Sequence, residues 1–158
     1  MLFFLSAAEY NNVQNNATKV RVHLNGGVAE VLDQHQDLMG RVENNIIEIE
    51  TFFENRTEKL LFVLQDAVFV VSNKGLGLDK EKNQTSVYVY AKRAEEISST
   101  GSSEAIAKQY EVLVKQIDVL KEKQLSDLLS IILKSKIALM EEEAKFLLKI
   151  IAVLKARK

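Results

Sequence analysis

The stretch from Asp33 to Asp37 carries the most conspicuous cluster of potential metal ligands in the sequence. Asp33, His35 and Asp37 alternate with Gln34 and Gln36, so two carboxylates and an imidazole recur at every second position. Such groups bind zinc and other divalent ions, but a functional site normally needs further ligands and supporting hydrogen bonds. The sequence offers no obvious additional ligands, so we predict a polar loop that holds neither a metal ion nor a cofactor.

Other arrangements typical of enzymes are incomplete. The chain has no cysteine, which excludes thiol nucleophiles, disulfides and cysteine-bound zinc. Gly75-Leu76-Gly77 lacks the third glycine of a dinucleotide-binding loop and is interpreted as a turn. His23 has no evident nucleophile nearby, and the run of acids at residues 141–143 is interpreted as a solvated stretch of helix. We therefore predict no catalytic residues.

Charge is distributed unevenly along the chain. Up to Thr100 there are 10 basic and 14 acidic residues, whereas from Gly101 onward there are 11 basic and 8 acidic ones. Basic residues near the end of a helix interact favourably with its dipole, which explains part of the C-terminal excess. The basic residues concerned are Lys145, Lys149, Lys155, Arg157 and Lys158.

Bulk properties exclude several classes of protein. A formal net charge of −1 over 158 residues argues against non-specific nucleic-acid binding as the main activity. No stretch reaches the roughly 20 apolar residues that a membrane-spanning helix needs. The apolar run at residues 1–5 is too short for a secretory signal. These features predict an intracellular protein without direct membrane insertion.

The residues before Gly101 have the pattern of a β domain. Residues 19–24 alternate polar and apolar, which predicts a half-buried strand, and Asn25-Gly26-Gly27 predicts a tight hairpin turn after it. Short strands separated by polar breaks are typical of an antiparallel sandwich. We expect the other strands at residues 2–7, 28–32, 46–50, 60–64, 67–71 and 86–91, and a polar turn or loop at residues 11–16.

The residues after Gly101 have the pattern of helices. Ser103 is a candidate N-cap, and the pairs Glu111–Lys115 and Glu141–Lys145 have favourable i,i+4 spacing. Apolar residues then form a seam with steps of four and three, typical of helix pairing. The seam consists of Ile106, Tyr110, Leu113, Ile117 and Leu120.

The helical region permits two arrangements. The seam is interrupted at residues 121–127, where Ser126 could cap a second helix, so either a two-helix hairpin or one extended arm is consistent with the pattern. We predict an α+β fold, with an antiparallel β-sandwich at residues 1–97, a linker at residues 98–103 and a helical hairpin or arm at residues 104–158.

Three stretches carry a family resemblance. Residues 19–38 contain a predicted strand, a Gly-containing turn, a second strand and then a loop. In this loop, Leu32, His35 and Leu38 match the first Leu, the His and the last Leu of a segment of the form Leu-Pro-Gly-His-x-Pro-Leu. Residues 62–71 are similar to a hairpin of two strands, and residues 87–97 are similar to a last strand that leads into a helical domain. In order and spacing, these stretches resemble the epsilon subunit of F-type ATP synthases, called delta in mitochondria.

The resemblance implies a role for several residues. The loop with Gln34, His35 and Gln36 would face the membrane rotor ring, and the five C-terminal basic residues would face acidic loops of the catalytic alpha and beta subunits, where they could inhibit rotation. The chain departs from the family in this loop, where both prolines and the glycine are absent. Residues 97–100 also lack the Asp and Arg of the family's nucleotide motif, so we predict no nucleotide site.

The resemblance therefore implies a non-catalytic central-stalk subunit of an F-type or F-like rotary ATPase. Its β domain would bind the gamma-type shaft, and the protein would lie in the cytoplasm, peripheral to the inner face of the cell membrane. One alternative is a coiled-coil adaptor with a β-sandwich docking domain, and another is a small enzyme or ligand-binding domain with a polar pocket. Synthesis or hydrolysis of ATP, attachment of a proton-conducting ring and inhibition by the arm are left open.

Overall fold

The computed structural model describes residues 1–14, 16–73, 84–97, 103–124 and 130–157. The chain divides into two compact units, Met1–Ser98 and Ser99–Lys158. The predicted turn at Gly75–Gly77, most of the predicted linker, the predicted cap Ser126 and the basic residue Lys158 lie outside the described residues.

The first unit consists of β-strands. Their bounds are β1 (Leu2–Ala7), β2 (Tyr10–Gln14), β3 (Ala17–Leu24), β4 (Gly27–Val31), β5 (Leu38–Val42), β6 (Asn45–Phe53), β7 (Arg56–Ser72) and β8 (Ser86–Glu96). They pair in the order β2–β1–β8–β7–β6–β3–β4, and β5 pairs with β7. Every pairing is antiparallel except that of β1 with β8, which is parallel.

Strand β7 takes part in two layers of the sheet. Its first half pairs with β6, and its second half pairs with β5. Between the two halves, Asp66 has a positive φ of 46°, which changes the side of the strand that faces inward. Phe62 and Leu64 are buried before this point, and Ala67 and Phe69 are buried after it. The strand therefore passes from one layer of the sandwich to the other.

The two layers enclose one hydrophobic core. Full burial of a large apolar side chain stabilises the fold by about 1.5–3 kcal/mol. The largest fully buried side chains of this unit are Phe3, Phe62, Phe69, Leu5, Ile47, Ile49 and Leu64. Gly40 of β5 lies so close to Phe69 of β7 that a Cβ at this position would overlap the phenyl ring.

The second unit is a pair of helices. Helix α1 spans Ser103–Gln124 and helix α2 spans Ser130–Ala156. They form a hairpin, because Ile117 packs with Ile137 and Ala144 between the helices. Tyr110, Leu113 and Leu120 of the predicted seam, together with Met140, line the same cluster. No helix in the described part of the chain is long and apolar enough to cross a bilayer.

An ion pair also joins the two helices. The Lys121 Nζ lies 2.7 Å from the Glu141 Oε1. The hydrogen bond from Lys121 lowers the pKa of Glu141 and raises that of Lys121. Glu141 makes this ion pair across the hairpin, and the charge of Lys145 on the same helix, the predicted partner, also lowers the pKa of Glu141.

The α+β fold, a β-sandwich followed by a helical hairpin, is confirmed, and the extended arm is not what the chain forms. Three details of the prediction were wrong. The polar stretch at residues 11–16 contributes to β2, where a turn was expected. The two strands expected at residues 60–64 and 67–71, and the hairpin resemblance there, correspond to the single strand β7. Strand β5 was not predicted.

Candidate functional site

One outer surface of the sandwich carries an apolar side chain from each of five neighbouring strands. These strands are β2, β1, β8, β7 and β5, and their pairing register aligns one residue per strand across the layer. In strand order the aligned residues are Val13, Phe4, Tyr88, Val70 and Met39. We call these five residues the apolar row.

The apolar row is exposed at its ends and ordered by aromatic stacking at its centre. Met39 is 73% exposed and Val13 is 54% exposed. The rings of Phe4 and Tyr88 stack with centroids 5.0 Å apart and planes 5° apart. Tyr90, two residues along β8 on the same side, is 55% exposed. Tyr88 itself is only 6% exposed, so the exposed apolar side chains lie at the two ends of the row and at Tyr90. Together they form a candidate site of interaction with another molecule.

The outer surface of the other layer is polar by comparison. Its side chains form ion pairs between the neighbouring strands β4, β3, β6 and β7. Each of these ion pairs contributes little to stability, because water screens the charges. The hydrogen bond from Arg21 lowers the pKa of Glu30, and that from Lys59 lowers the pKa of Glu50. The ion pairs are Arg21–Glu30 at 2.6 Å, Lys19–Glu50 at 3.4 Å and Lys59–Glu50 at 3.2 Å. The His23 Nε2 also lies 2.6 Å from the Glu48 Oε1 and forms a hydrogen bond with it.

The loop between β4 and β5, which contains the predicted residues Gln34, His35 and Gln36, is held by hydrogen bonds to residues distant in sequence. The backbone N–H of Gln34 donates to the Thr85 Oγ1 at 2.7 Å. The Thr85 hydroxyl in turn donates to the Asn73 Oδ1 at 2.7 Å. The Asn73 side-chain amide donates to the carbonyl oxygen of His35, and its backbone N–H donates to the Asp37 Oδ1 at 3.0 Å.

The polar groups of this loop are used for its own structure. The His35 Nδ1 lies 2.7 Å from the carbonyl oxygen of Gln36, and the Asp37 carboxylate accepts the hydrogen bond described above. Within the described residues, no group of three His, Cys, Asp or Glu side chains is arranged to hold a metal ion. Asp33, His35 and Asp37 are therefore near neighbours in sequence without forming a ligand set.

Gln34 has a backbone conformation that favours glycine. Its φ is 62°, in the left-handed region, which costs roughly 1–2 kcal/mol for a residue with a Cβ. The segment that this loop resembles has glycine at the position of Gln34. The hydrogen bonds to Thr85 and Asn73 hold the backbone of the loop in this conformation.

A shallow groove connects this loop with the apolar row. It has a volume of about 330 Å³ and is lined by Asp37, Leu38, Met39, Val70 and Ser72, among others. Met39 and Val70 belong to the apolar row, and Asp37 belongs to the loop network. The row, the groove and the loop therefore form one continuous surface at this end of the sandwich.

The predicted basic residues of α2 do not share one face of the helix. Lys145 and Lys149 are one turn apart and lie on the same face. Lys155 is ten residues after Lys145, which places it roughly 80° around the helix at 3.6 residues per turn. Arg157 follows the end of α2, which is at Ala156. The structure thus brings together the first two of these residues.

Sequence reasoning missed the apolar row. The signal was present in two runs that are apolar on both faces, residues 2–5 in β1 and residues 87–90 in β8. In a sandwich with one solvated face such strands should alternate with polar residues, so a continuous run indicates a covered outer face. The contributions of Val13, Val70 and Met39 depend on strand pairing and could not be deduced locally.

Comparison with known proteins gives structural matches only. No family model and no curated protein sequence matches the chain. Its structure is similar to a chain in the Euglena gracilis mitochondrial ATP synthase, from a complex of OSCP, F1 and c-ring in rotational state 1. The similarity has a TM-score of 0.57 at 17% identity and covers 98% of this chain and 78% of that chain.

A second similar chain occurs in the central stalk and c-ring of the Tetrahymena thermophila mitochondrial ATP synthase. It has a TM-score of 0.45 at 8% identity and covers 60% of this chain and 65% of that chain. The likeness to the Euglena chain shows a common fold that includes the sandwich and the helical hairpin. The residues of the apolar row and of the loop are described from this chain alone.

Proposed function

We propose that this chain is a non-catalytic central-stalk subunit of an F-type or F-like rotary ATPase. In this proposal the apolar row binds the gamma-type shaft subunit. The row is the observation that carries the proposal, because five strands align apolar side chains on an outer face that a solitary sandwich would keep polar. The common fold with a chain of the Euglena ATP synthase complex supports the choice of assembly.

The exposed ends of the apolar row and Tyr90 beside it have enough surface to drive association. Burial of a Val, Met or aromatic side chain contributes about 1.5–3 kcal/mol when it is complete. Met39, Val13 and Tyr90 are more than half exposed, so a partner that covers all three gains several kcal/mol. Part of this gain offsets the loss of translational and rotational freedom on binding. A few well-packed anchors of this type are typical of specific interfaces.

The remaining surfaces have roles that the resemblance suggests. The loop with Gln34, His35 and Gln36 is proposed to face the membrane ring, and its hydrogen bonds to Thr85 and Asn73 provide the rigidity that prolines would otherwise supply. The basic residues of the arm are proposed to face acidic loops of the alpha and beta subunits. Individual surface ion pairs are weak, so any restraint on rotation requires several of them. The complex would hold the chain at the inner face of the cell membrane.

Native purification of a tagged chain from its own cell tests the proposal. We expect mass spectrometry to identify gamma-like, alpha-like and beta-like ATPase subunits among the co-purified proteins. The presence of membrane-ring subunits would indicate a complete synthase, and their absence would indicate a motor without the usual ring. Recovery of no rotary-ATPase subunit would refute the proposed function.

A matched pair of variants tests the apolar row itself. Val13→Glu places a charge at the edge of the row, and Val28→Glu places the same charge on β4, in the other layer. The parent side chains are 54% and 55% exposed. We expect Val13→Glu to weaken binding of the gamma-like subunit by about 1.4 kcal/mol or more. This loss of binding free energy corresponds to a factor of about ten in affinity, so recovery of the subunit should fall by about tenfold or more. Val28→Glu should have little effect, and equal losses in both variants would contradict the assignment of the row.

The adaptor alternative has one observation in its favour. The helical hairpin exposes apolar side chains, among them Val112 and Val119 of α1 and Leu139 of α2. An adaptor would recruit its partner through this hairpin without a rotary ATPase. The same purification distinguishes the two functions, since the adaptor predicts partners that are lost on changes to the hairpin and are kept in Val13→Glu.

A further inference from the structure

A groove runs along one side of the helical hairpin between α1 and α2. One part has a volume of about 490 Å³ and is lined by Val112, Val119 and Leu120 of α1 and by Met140 of α2, among others. A second part of about 450 Å³ continues from Val112 and Gln116 toward Leu147. From Lys108 to Val119 the lining extends over roughly 17 Å at 1.5 Å per residue.

Exposed apolar side chains occur in the first half of α2. Ile132, Leu139 and Phe146 are spaced by seven residues and lie on the same side of the helix. Phe146 is fully buried, whereas Ile132 and Leu139 are 73% and 63% exposed. Ile132 and Leu139 are thus exposed apolar side chains of α2. Val112 and Val119 of α1, which are also spaced by seven residues, are exposed and line the groove.

The charged residues that line the groove are mostly basic. Lys115 and Lys136 line its first part, and Lys108 and Glu143 line its second part. Within the described part of the chain, no ion pair involves Lys108, Lys115 or Lys136. The groove thus presents an apolar floor with three lysines and one glutamate at its sides.

We propose that this groove binds an amphipathic helix of another protein, with an apolar stripe that enters the groove and acidic residues on both sides of the stripe. Docking of an amphipathic helix in an apolar groove is a common mode of recognition, with anchors at i, i+3 or i+4, and i+7. The length of the lining accommodates about three turns of such a helix. The lysines select acidic flanks and steer association at low ionic strength.

A second copy of this chain is a poorer occupant than an acidic partner. Residues 101–158 contain 11 basic and 8 acidic side chains, so two hairpins packed groove to groove would bring like charges together. The helix contributed by the partner would have the opposite charge. This inference concerns a surface separate from the apolar row and does not depend on the proposed function.

Site-specific photo-crosslinking in the native assembly tests the inference. A photoreactive amino acid is placed at Val119 in the groove or, as a control, at Leu148, which lies outside the described groove lining. Both parent side chains are 49% exposed. We expect a crosslink from position 119 to a segment of another protein with helical apolar periodicity and acidic flanks, and at most a weak crosslink from position 148.

Three results would overturn the inference. They are a crosslink from position 119 to a second copy of this chain, a crosslink to a segment without acidic flanks or helical periodicity, and no crosslink at all from the assembled protein. The Lys115→Glu, Lys136→Glu double variant provides an independent readout. Its crosslink yield from position 119 should fall by about tenfold at low salt, with far-UV circular dichroism unchanged, whereas an unchanged yield would contradict selection of an acidic helix.

Discussion

Replacement of Thr85 by valine is expected to destabilise the sandwich and release the loop that contains Gln34 and His35. The change keeps the shape of a side chain that is only 2% exposed. It removes the hydroxyl that accepts a hydrogen bond from the Gln34 backbone N–H and donates one to the Asn73 Oδ1, both at 2.7 Å. Two polar groups would thus lose their partner in one substitution.

The magnitude follows from these two hydrogen bonds. A hydrogen bond contributes about 1 kcal/mol net, and a buried group left without a partner costs about 1–3 kcal/mol. Because Gln34 is exposed and can reach water, we place the total loss in the free energy of unfolding at about 2 kcal/mol. With an m-value of about 2 kcal/mol/M, the urea midpoint would fall by about 1 M.

Urea unfolding followed by circular dichroism measures this loss, and amide hydrogen exchange at Gln34 and Asn73 measures release of the loop. Thr85→Ser is the matched control, since it keeps the hydroxyl and should retain most of the midpoint and the protection. A Thr85→Val variant with the parental midpoint and parental exchange rates would refute the reasoning, because the hydrogen bonds would then not be what holds the loop.

Three further predictions concern other parts of the fold. Gly40→Ala should destabilise the sandwich by about 1–3 kcal/mol, because the new Cβ overlaps with Phe69. Adding Phe69→Leu to this variant should recover part of the urea midpoint, and a double variant whose loss equals the sum of the two single losses would contradict this. Gln34→Gly should raise the free energy of unfolding by about 0.5–1 kcal/mol, because glycine adopts the positive φ without strain. A lower free energy of unfolding would mean that the Gln34 side chain stabilises the fold by more than the backbone strain costs. The Lys121 hydrogen bond keeps the pKa of Glu141 below its ordinary value of 4.5, so the hairpin should lose stability as the pH falls below this value. In thermal melts, the Glu141→Gln variant should lose less stability between pH 7 and pH 3 than the parent chain, and parallel curves for the two proteins would argue against the ion pair.

Local patterns predicted the strands and helices in which apolar residues recur with a regular period. Residues 19–24 alternate and form most of β3, and the seam residues Tyr110, Leu113 and Ile117 pack between the helices. In these segments the period of the apolar residues matches the geometry of the element. The order of elements and the α+β class were therefore accessible from the sequence.

The failures occur where conformation depends on distant partners. Strand β2 is polar, and it is a strand because it pairs with β1 at the edge of the sheet. Strand β7 was predicted as two strands, residues 60–64 and 67–71, whereas the chain continues as one strand whose buried side changes at Asp66. A positive φ at an aspartate has no reliable local signal. The apolar row combines one residue from each of five strands, so it is visible only after the register is known.

The pairing of the first strand with the last one has a consequence for biosynthesis. Leu2 pairs with Ser86 and Ser6 pairs with Tyr90, so these contacts close a loop of more than eighty residues. Contacts so distant in sequence slow folding, because the chain loses entropy before they form. On the ribosome, β1 must wait with Phe3 and Leu5 uncovered until β8 has emerged. The nascent sandwich is therefore a candidate client for chaperones that shield apolar segments during synthesis.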